Sequence, residues 1–387
     1  MSPHAGTAGA GSRRIAICLS HFHPTVGGAE RQLFQLAQCW AGWGHAPLVL
    51  TRHVPGLPTH EMVSGIEIRR VIRTLDAGPM FGMSFLVLLA ANLLRFTRRY
   101  DVVLAAQAPW EAVATGLVAH RLGKPSIVRI ASVGPAGDLA QIRRAKGRAL
   151  LRRLVLRNSC FLAPSAQARA ELAALGCSGH SIRSISNGVD IDRFSPPPAA
   201  ARPPDEARSR TALFVGRLTD LKNPLAVLRA WRHVERRGEH RLLVAGDGPL
   251  RESLQAYCRQ EKLASVEFLG QADDMPAVYR RAAVLVQPSP NEGCSNALLE
   301  AMACGLCPIV SRVPGNLDVV QHDVTGLTIT LNDDASLAAA LLRSLDDAAL
   351  RTRLAEAARR HVVSHHSLER VARQYLELFD ELLAARS

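Results

Sequence analysis

Neither half of the chain carries the Gly-x-Gly-x-x-Gly loop with a following ribose-binding acid that a dinucleotide oxidoreductase needs after its first strand, which argues against that class. The first twelve residues are rich in Gly, Ala and Ser and have no apolar core of the kind a secretory signal uses, so residues 1–12 read as a disordered extension and a cytoplasmic location is expected. Cysteine is limited to eight scattered residues. The single Cys-x-x-Cys, ending at Cys304 and Cys307, has no second ligand pair at zinc spacing, so reduced thiols packed near a tight turn are expected. No Asp-x-Asp pair is convincing as a metal ligand, and Asp273-Asp274 and Asp333-Asp334 read as solvated turns, so neither metal nor other cofactor is expected. The second half holds only Lys222 and Lys262 as lysines, which leaves no obvious partner for pyridoxal phosphate. Helix-turn-helix, zinc-finger and RNP-like patterns are also missing, so the net charge of +13 does not point to nucleic acid.

The 387 residues, 48% hydrophobic and 21% charged, suffice for two domains with separate cores. Charge is unevenly placed. Up to Ser195 there are 23 Lys and Arg against 10 Asp and Glu, whereas beyond it the balance is 24 against 24. A basic first half favours an anionic surface or acceptor, membrane phospholipid or lipid diphosphate among them. Short apolar runs at 14–20, 46–51, 101–106, 125–130 and 159–163 alternate with helical or loop-rich stretches. A second series follows at 211–215, 241–245, 266–269, 283–287, 307–311 and 326–330. That alternation predicts α/β architecture with parallel sheets covered on both faces. The proline-rich stretch 195–208 separates domains at 13–194 and 209–365, and residues 366–387 carry apolar positions at three- and four-residue steps, predicting an amphipathic helix.

Glu292 and Glu300 stand eight residues apart across a loop that runs into a helix start. Ser295 or Asn296 caps that helix, and its free N–H groups offer a site for an anion between the two carboxylates. A nucleoside diphosphate sugar matches this spacing: hexose hydroxyls at one acid, diphosphate at the helix mouth, ribose at the other.

This segment resembles the Glu-x7-Glu signature of retaining glycosyltransferases of family 4. The resemblance extends in order and spacing through Gly27-Gly28-Ala29-Glu30, Ser186-Asn187-Gly188-Val189-Asp190, Val215-Gly216-Arg217-Leu218 with Lys222, Ala245-Gly246-Asp247-Gly248-Pro249 and Glu300-Ala301-Met302-Ala303-Cys304-Gly305. It implies the GT-B fold, two Rossmann-like domains facing each other across a cleft, with the first binding acceptor, the second binding nucleotide sugar and the terminal helix crossing back. By resemblance Arg217 and Lys222 hold the departing diphosphate, and Glu292 with Gly293, Cys294, Ser295 and Asn296 orients sugar and phosphate. Glu300 binds ribose, Gly27 and Gly28 approach the phosphates from the first domain, and Gly270 and Gln271 lie at the base. Many members place a histidine after the strand at 125–130, where this chain has Ala131 and Ser132. Asp138 or nearby backbone is then expected to position the acceptor, and His21 and His23 stand beside the Gly27-Gly28 loop. The implied reaction is hexosyl transfer from a UDP- or GDP-sugar to a glycan or lipid-linked acceptor. An epimerase on the same fold and a noncatalytic nucleotide-sugar-binding protein are the alternatives.

Residues 77–94 carry no charge, which leaves a core helix, a helix dipping into a membrane face and a membrane span all open. Between 143 and 157 there are seven basic residues and no acid, interleaved with Leu150, Leu151, Leu154, Val155 and Leu156. That pattern predicts a basic amphipathic helix, read either as a solvated face or as a surface for anionic lipid or a lipid-linked acceptor, the second reading placing a cytoplasmic protein peripherally on the inner face of the cytoplasmic membrane.

Overall fold

The computed structural model describes residues 11–24, 27–75, 79–135, 137–145, 147–196 and 208–386. Its first sheet contains β1 (Arg14–Cys18), β2 (Ala46–Arg52), β3 (His60–Val63), β4 (Ile66–Ile72), β5 (Val102–Ala105), β6 (Ser126–Arg129), β7 (Cys160–Ala163) and β8 (Ile182–Ser184), in the order β3-β4-β2-β1-β5-β6-β7-β8. Among the described residues only the β3–β4 pair is antiparallel. The second holds β9 (Thr211–Val215), β10 (Arg241–Ala245), β11 (Val266–Gly270), β12 (Val284–Gln287), β13 (Cys307–Ser311) and β14 (Leu327–Ile329), in the order β11-β10-β9-β12-β13-β14. These are two Rossmann-like halves. Strand order reverses beside β1 in one and beside β9 in the other, and the crevice at the carboxyl ends of strands there is where such sheets bind ligands.

The central strands are buried on both faces, as the adjacent pairs Ile15 and Ala16, Val103 and Leu104, Ile127 and Val128, Ala212 and Leu213, and Val284 and Leu285 show, which is why their apolar runs were continuous in sequence. The β3–β4 hairpin and β8 were not anticipated. In β4 the pattern Ile66-Glu67-Ile68-Arg69-Arg70-Val71-Ile72 alternates, but its charges masked the period. Arg70 is almost fully buried and is satisfied by the carbonyls of His23 and Pro58 and by the Glu61 carboxylate.

The uncharged stretch resolves as a helix, Pro79–Arg95, whose first expected residues, 77 and 78, lie outside the described residues. Phe85, Leu89 and Leu93 face the core, and Gly82 lets the helix approach Trp110 so closely that a Cβ would stand 2.3 Å from the indole. Among the described residues no helix is long and apolar enough to cross a membrane, which removes the span reading. The basic stretch forms two helices, Asp138–Arg144 and Arg148–Val155, rather than one. Of the segment 195–208, positions 197–207 lie outside the described residues. The terminal helix Leu368–Ala384 packs on the helix Gly28–Gly42 of the first half, with Trp40 against Tyr375 and Phe379 and its indole N–H donating to Ala372 O at 3.0 Å. All eight cysteines are free thiols, and Cys304 and Cys307 are buried in the core on either side of Gly305.

Candidate active site

Three loops at the carboxyl ends of β9, β10 and β11 are fastened together. Leu218 N donates to Asp247 O at 2.9 Å, and Gly246 N to Gly270 O at 2.8 Å. Gly246 has φ +134°, and a Cβ there would lie 2.0 Å from Gly216 O, so no other residue allows this approach. Asp247 spends its carboxylate on Gly248 N and Arg251, as a turn-former does. The loop after β9 thereby presents Arg217, which is exposed and makes no side-chain hydrogen bond or ion pair among the described residues, and then Lys222 in a short 3-10 turn. Gly270 and Gln271 sit at the end of β11, the glycine at φ +66° and the glutamine exposed.

The loop after β12 supplies the opposing wall. Ser295 caps the helix Asn296–Ala303, its Oγ accepting from Leu298 N at 3.3 Å and donating to Gln287 Oε1 at 2.8 Å. Gln287 in turn donates to Asn316 Oδ1 at 3.2 Å, and Asn316 donates to the Ser311 carbonyl at 3.1 Å. This buried row holds the cap in register. Glu292, 7% exposed, receives Lys222 Nζ at 2.6 Å, so the cation and the carboxylate expected at the phosphate meet directly. Gly315 closes the loop from behind, where a Cβ would come 2.1 Å from Glu292 O.

First-half elements reach the same place. Asn296 Nδ2 donates to Gly28 O at 2.9 Å, and Asn187 Nδ2 donates to both Cys294 O and Asn296 Oδ1, at 2.9 and 2.8 Å. Arg129 fixes Asn187 through its Oδ1 at 2.7 Å. Gly27 abuts the Glu30 carboxylate at the helix start, and Gly293 faces Val133. Glu300 is buried, with Tyr279 OH donating to Oε2 at 2.9 Å and Arg31 Nη1 3.5 Å from Oε1. Burial pushes its pKa up, while Arg31 and the Tyr279 hydrogen bond oppose that shift. Burial also pushes the Cys294 thiol up to about 11, so it is not a nucleophile at neutral pH.

Asp138 stands apart from this cluster. Its carboxylate accepts from Ala131 N at 2.8 Å and Ser132 Oγ at 2.6 Å, and it is 4% exposed, so it shapes the loop at 131–138 rather than facing the cleft. His23 stacks on Phe34, and His21 lies against Ser20. Motif reading missed Gln287, Asn316, Gly315, Arg31 and Tyr279, whose roles arise only when distant segments pack. The buried polar types in Gln287 and Ser311, ending apolar strands, were the available signal.

Two family models cover most of the chain: "Glycosyltransferase Family 4" matches residues 26–193 and "Glycosyl transferases group 1" matches residues 201–361. A D-inositol 3-phosphate glycosyltransferase of Salinispora arenicola is 29% identical over 96% of this chain and 93% of its own length. A UDP-Gal:alpha-D-GlcNAc-diphosphoundecaprenol alpha-1,3-galactosyltransferase of Escherichia coli is 33% identical over 43% of this chain and 46% of its own. Among solved structures, Anabaena HepE in complex with UDP superposes with a TM-score of 0.77 at 17% identity, covering 95% of this chain and all of that one. With both halves matched in order, and a GT-B arrangement of two facing sheets beneath them, the chain belongs to the family 4 glycosyltransferases.

Proposed function

We propose that the cleft binds a UDP- or GDP-linked hexose and transfers the hexosyl group, with retention at the anomeric carbon, to a hydroxyl of a lipid-linked or membrane-proximal glycan. The observation that carries this reading is the meeting of Lys222 and Glu292 beside the N-terminus of the helix capped by Ser295, with Arg217 exposed in the same loop as Lys222 and without a side-chain partner among the described residues. A diphosphate arriving there gains the first-turn N–H groups, Arg217 and the Lys222 side chain beside Glu292. In the reaction the bond from the anomeric carbon to the phosphate oxygen breaks and a bond to the acceptor oxygen forms on the same face. The acceptor proton passes to the departing phosphate oxygen. Two side-chain cations and the helix mouth stabilise the leaving group, so the proposal calls for no metal ion. Glu300 takes the ribose hydroxyls once Arg31 yields or shares its carboxylate.

The surface supports the acceptor side of this reading. Met80, Met83, Val87 and Leu94 form an exposed apolar stripe on the helix Pro79–Arg95. Across the helix Trp110–Leu122, the helix Arg148–Val155 presents Leu150 among exposed Arg148, Arg152 and Arg153. Apolar residues flanked by arginine suit an anionic lipid surface, and the Escherichia coli relative is named for an undecaprenol-linked acceptor. Transfer assays over a panel of nucleotide sugars and lipid-linked acceptors test the reading. Arg217→Ala and Glu292→Ala should each lower kcat/KM at least about 100-fold. Near-wild-type turnover in both rejects this site. Co-sedimentation with phosphatidylglycerol vesicles, lost with neutral vesicles and in high salt, tests the surface.

A further inference from the structure

A buried polar row on the first half lies outside the donor-side machinery. Glu111, at the start of the helix Trp110–Leu122, is 3% exposed, and burial lifts its pKa to about 7. Its Oε1 accepts from Gln107 Nε2 at 3.3 Å, and the same nitrogen donates to Ser20 Oγ at 3.2 Å. Ser20 Oγ lies 3.1 Å from His21 Nδ1. Both amide hydrogens of Gln107 are thus committed, one to a carboxyl oxygen and one to a hydroxyl, which fixes the amide's orientation.

That commitment selects a tautomer of His21. With Ser20 Oγ already accepting from Gln107, its own hydrogen goes to Nδ1, and the imidazole proton resides on Nε2. The opposite arrangement, Nδ1–H donating to Ser20, would leave a nearly buried hydroxyl hydrogen with no acceptor among the described residues, which is unfavourable. Burial and the nearby Arg52 guanidinium hold the ring neutral against the pull of Glu30. Because Nδ1 turns toward buried Ser20, the open edge of this half-buried ring carries Nε2–H, which has no partner among the described residues.

We propose that His21 positions the donor hexose, its Nε2–H donating to a sugar hydroxyl, and that Glu111, Gln107 and Ser20 act through it as positioning residues that hold this tautomer. The inference rests on the nucleotide-sugar reading above. His21 leads into the loop whose far end, Gly28, touches Asn296 of the donor wall. The diphosphate already has Arg217, Lys222 and the helix mouth, and a neutral N–H donor suits a hydroxyl better than a dianion.

Imidazole nitrogen NMR on protein labelled at histidine, assigned with His21→Gln, should show His21 protonated at Nε2, and Ser20→Ala should shift that population toward Nδ1–H. Nδ1–H in the wild type overturns the row. By calorimetry, His21→Ala should weaken a bound nucleotide sugar about 10-fold while the affinity for the free nucleoside diphosphate stays within about 2-fold. His21→Gln, which restores an N–H donor, should recover most of the loss, an outcome a general base would not give. Ser20→Ala should cost about 3-fold alone and nothing further in the His21→Ala background, as coupled residues do. Equal losses for sugar-bearing and free nucleotide, no rescue by Gln, or multiplying effects each overturn the assignment. Failure of the wild-type protein to bind any nucleotide sugar overturns the parent reading together with this ligand, whereas wild-type binding untouched by His21→Ala overturns this proposal alone.

Discussion

Lys222 and Arg217 share a loop and a proposed ligand but differ in what they do for the folded chain. Glu292 is 7% exposed and Lys222 is its ion-pair partner, so Lys222→Ala strands a carboxylate in a poorly solvated place. With Lys222 itself about a third exposed, the expected loss is roughly 1–2 kcal/mol, read as a lower urea midpoint. Arg217→Ala breaks nothing within the described residues and should leave the midpoint unchanged while abolishing most transfer. A destabilised Arg217→Ala would show that Arg217 is not a free cation awaiting ligand. The two cations and both glutamates were legible in the sequence because they fall in short motifs with fixed spacing. Asn316 and Gln287 were not, since a side-chain hydrogen bond between residues 29 apart depends on how β12 and β13 pair. Asp138 shows the reverse error: its position in the loop was legible, but its burial against Ala131 and Ser132 was not.

At the scale of elements, the helix Asn296–Ala303 is short and its first turn is held by one side chain. Ser295→Ala removes the cap and takes the donor from Gln287 Oε1, so both stability and anion affinity should fall. The expected cost is about 1 kcal/mol in unfolding, with weaker binding of the nucleoside diphosphate. Loss of stability with unchanged affinity would separate the cap from the binding site. The crossover into the terminal helix is a second vulnerable element. His366 Nδ1 lies 2.9 Å from Ser186 Oγ, beside His361 and His365, and Val189 pairs with Ser367. Burial, with the two neighbouring histidines adding to it, lowers the His366 pKa from 6.5 to about 4, against the Asn187 backbone contact. The unfolded chain therefore takes up a proton near pH 6.5 that the folded chain refuses until about pH 4. This contribution is complete above pH 6.5 and is lost as pH falls through that window, reaching roughly 3 kcal/mol. Unfolding free energies measured from pH 7 to 4 should fall less steeply in His366→Asn, and identical slopes would remove His366 as the cause. The central strands were legible because burial on both faces writes an unbroken apolar run. The three-residue β8 and the charged β3–β4 edge wrote no such run.

For the whole molecule, the apolar cores of the two sheets remain separate clusters, so the facing walls of the cleft are joined by polar contacts. Asn296 reaches Gly28 O, Asn291 reaches Val133 O, the Asp318 carboxylate accepts from Ala166 N at 2.7 Å, and Arg31 approaches Glu300. Each such bond is worth about 1 kcal/mol net, so a few of them hold a closed arrangement that thermal motion can open. Gly134, at φ +82°, has no room for a Cβ because Asn291 fills that space, which makes Asn291 the tightest of these contacts. Two half-molecules and their order were legible from the alternation of strands and helices, whereas this facing surface was not, because its partners lie up to 268 residues apart. Removing Asn291 and Asp318 together, as Asn291→Ala with Asp318→Ala, should shift the free protein toward an opened form with a larger radius of gyration in solution scattering. A nucleotide sugar that engages both walls, at Gly27-Gly28 and at Ser295, should restore the compact form, since ligand binding energy then replaces the lost hydrogen bonds. An unchanged radius in the double variant would show that the remaining contacts, Asn296 to Gly28, Arg31 to Glu300 and the terminal helix, set the arrangement of the halves without Asn291 and Asp318. Expansion that the nucleotide sugar fails to reverse would show that the ligand touches one wall only, and closure could then play no part in transfer.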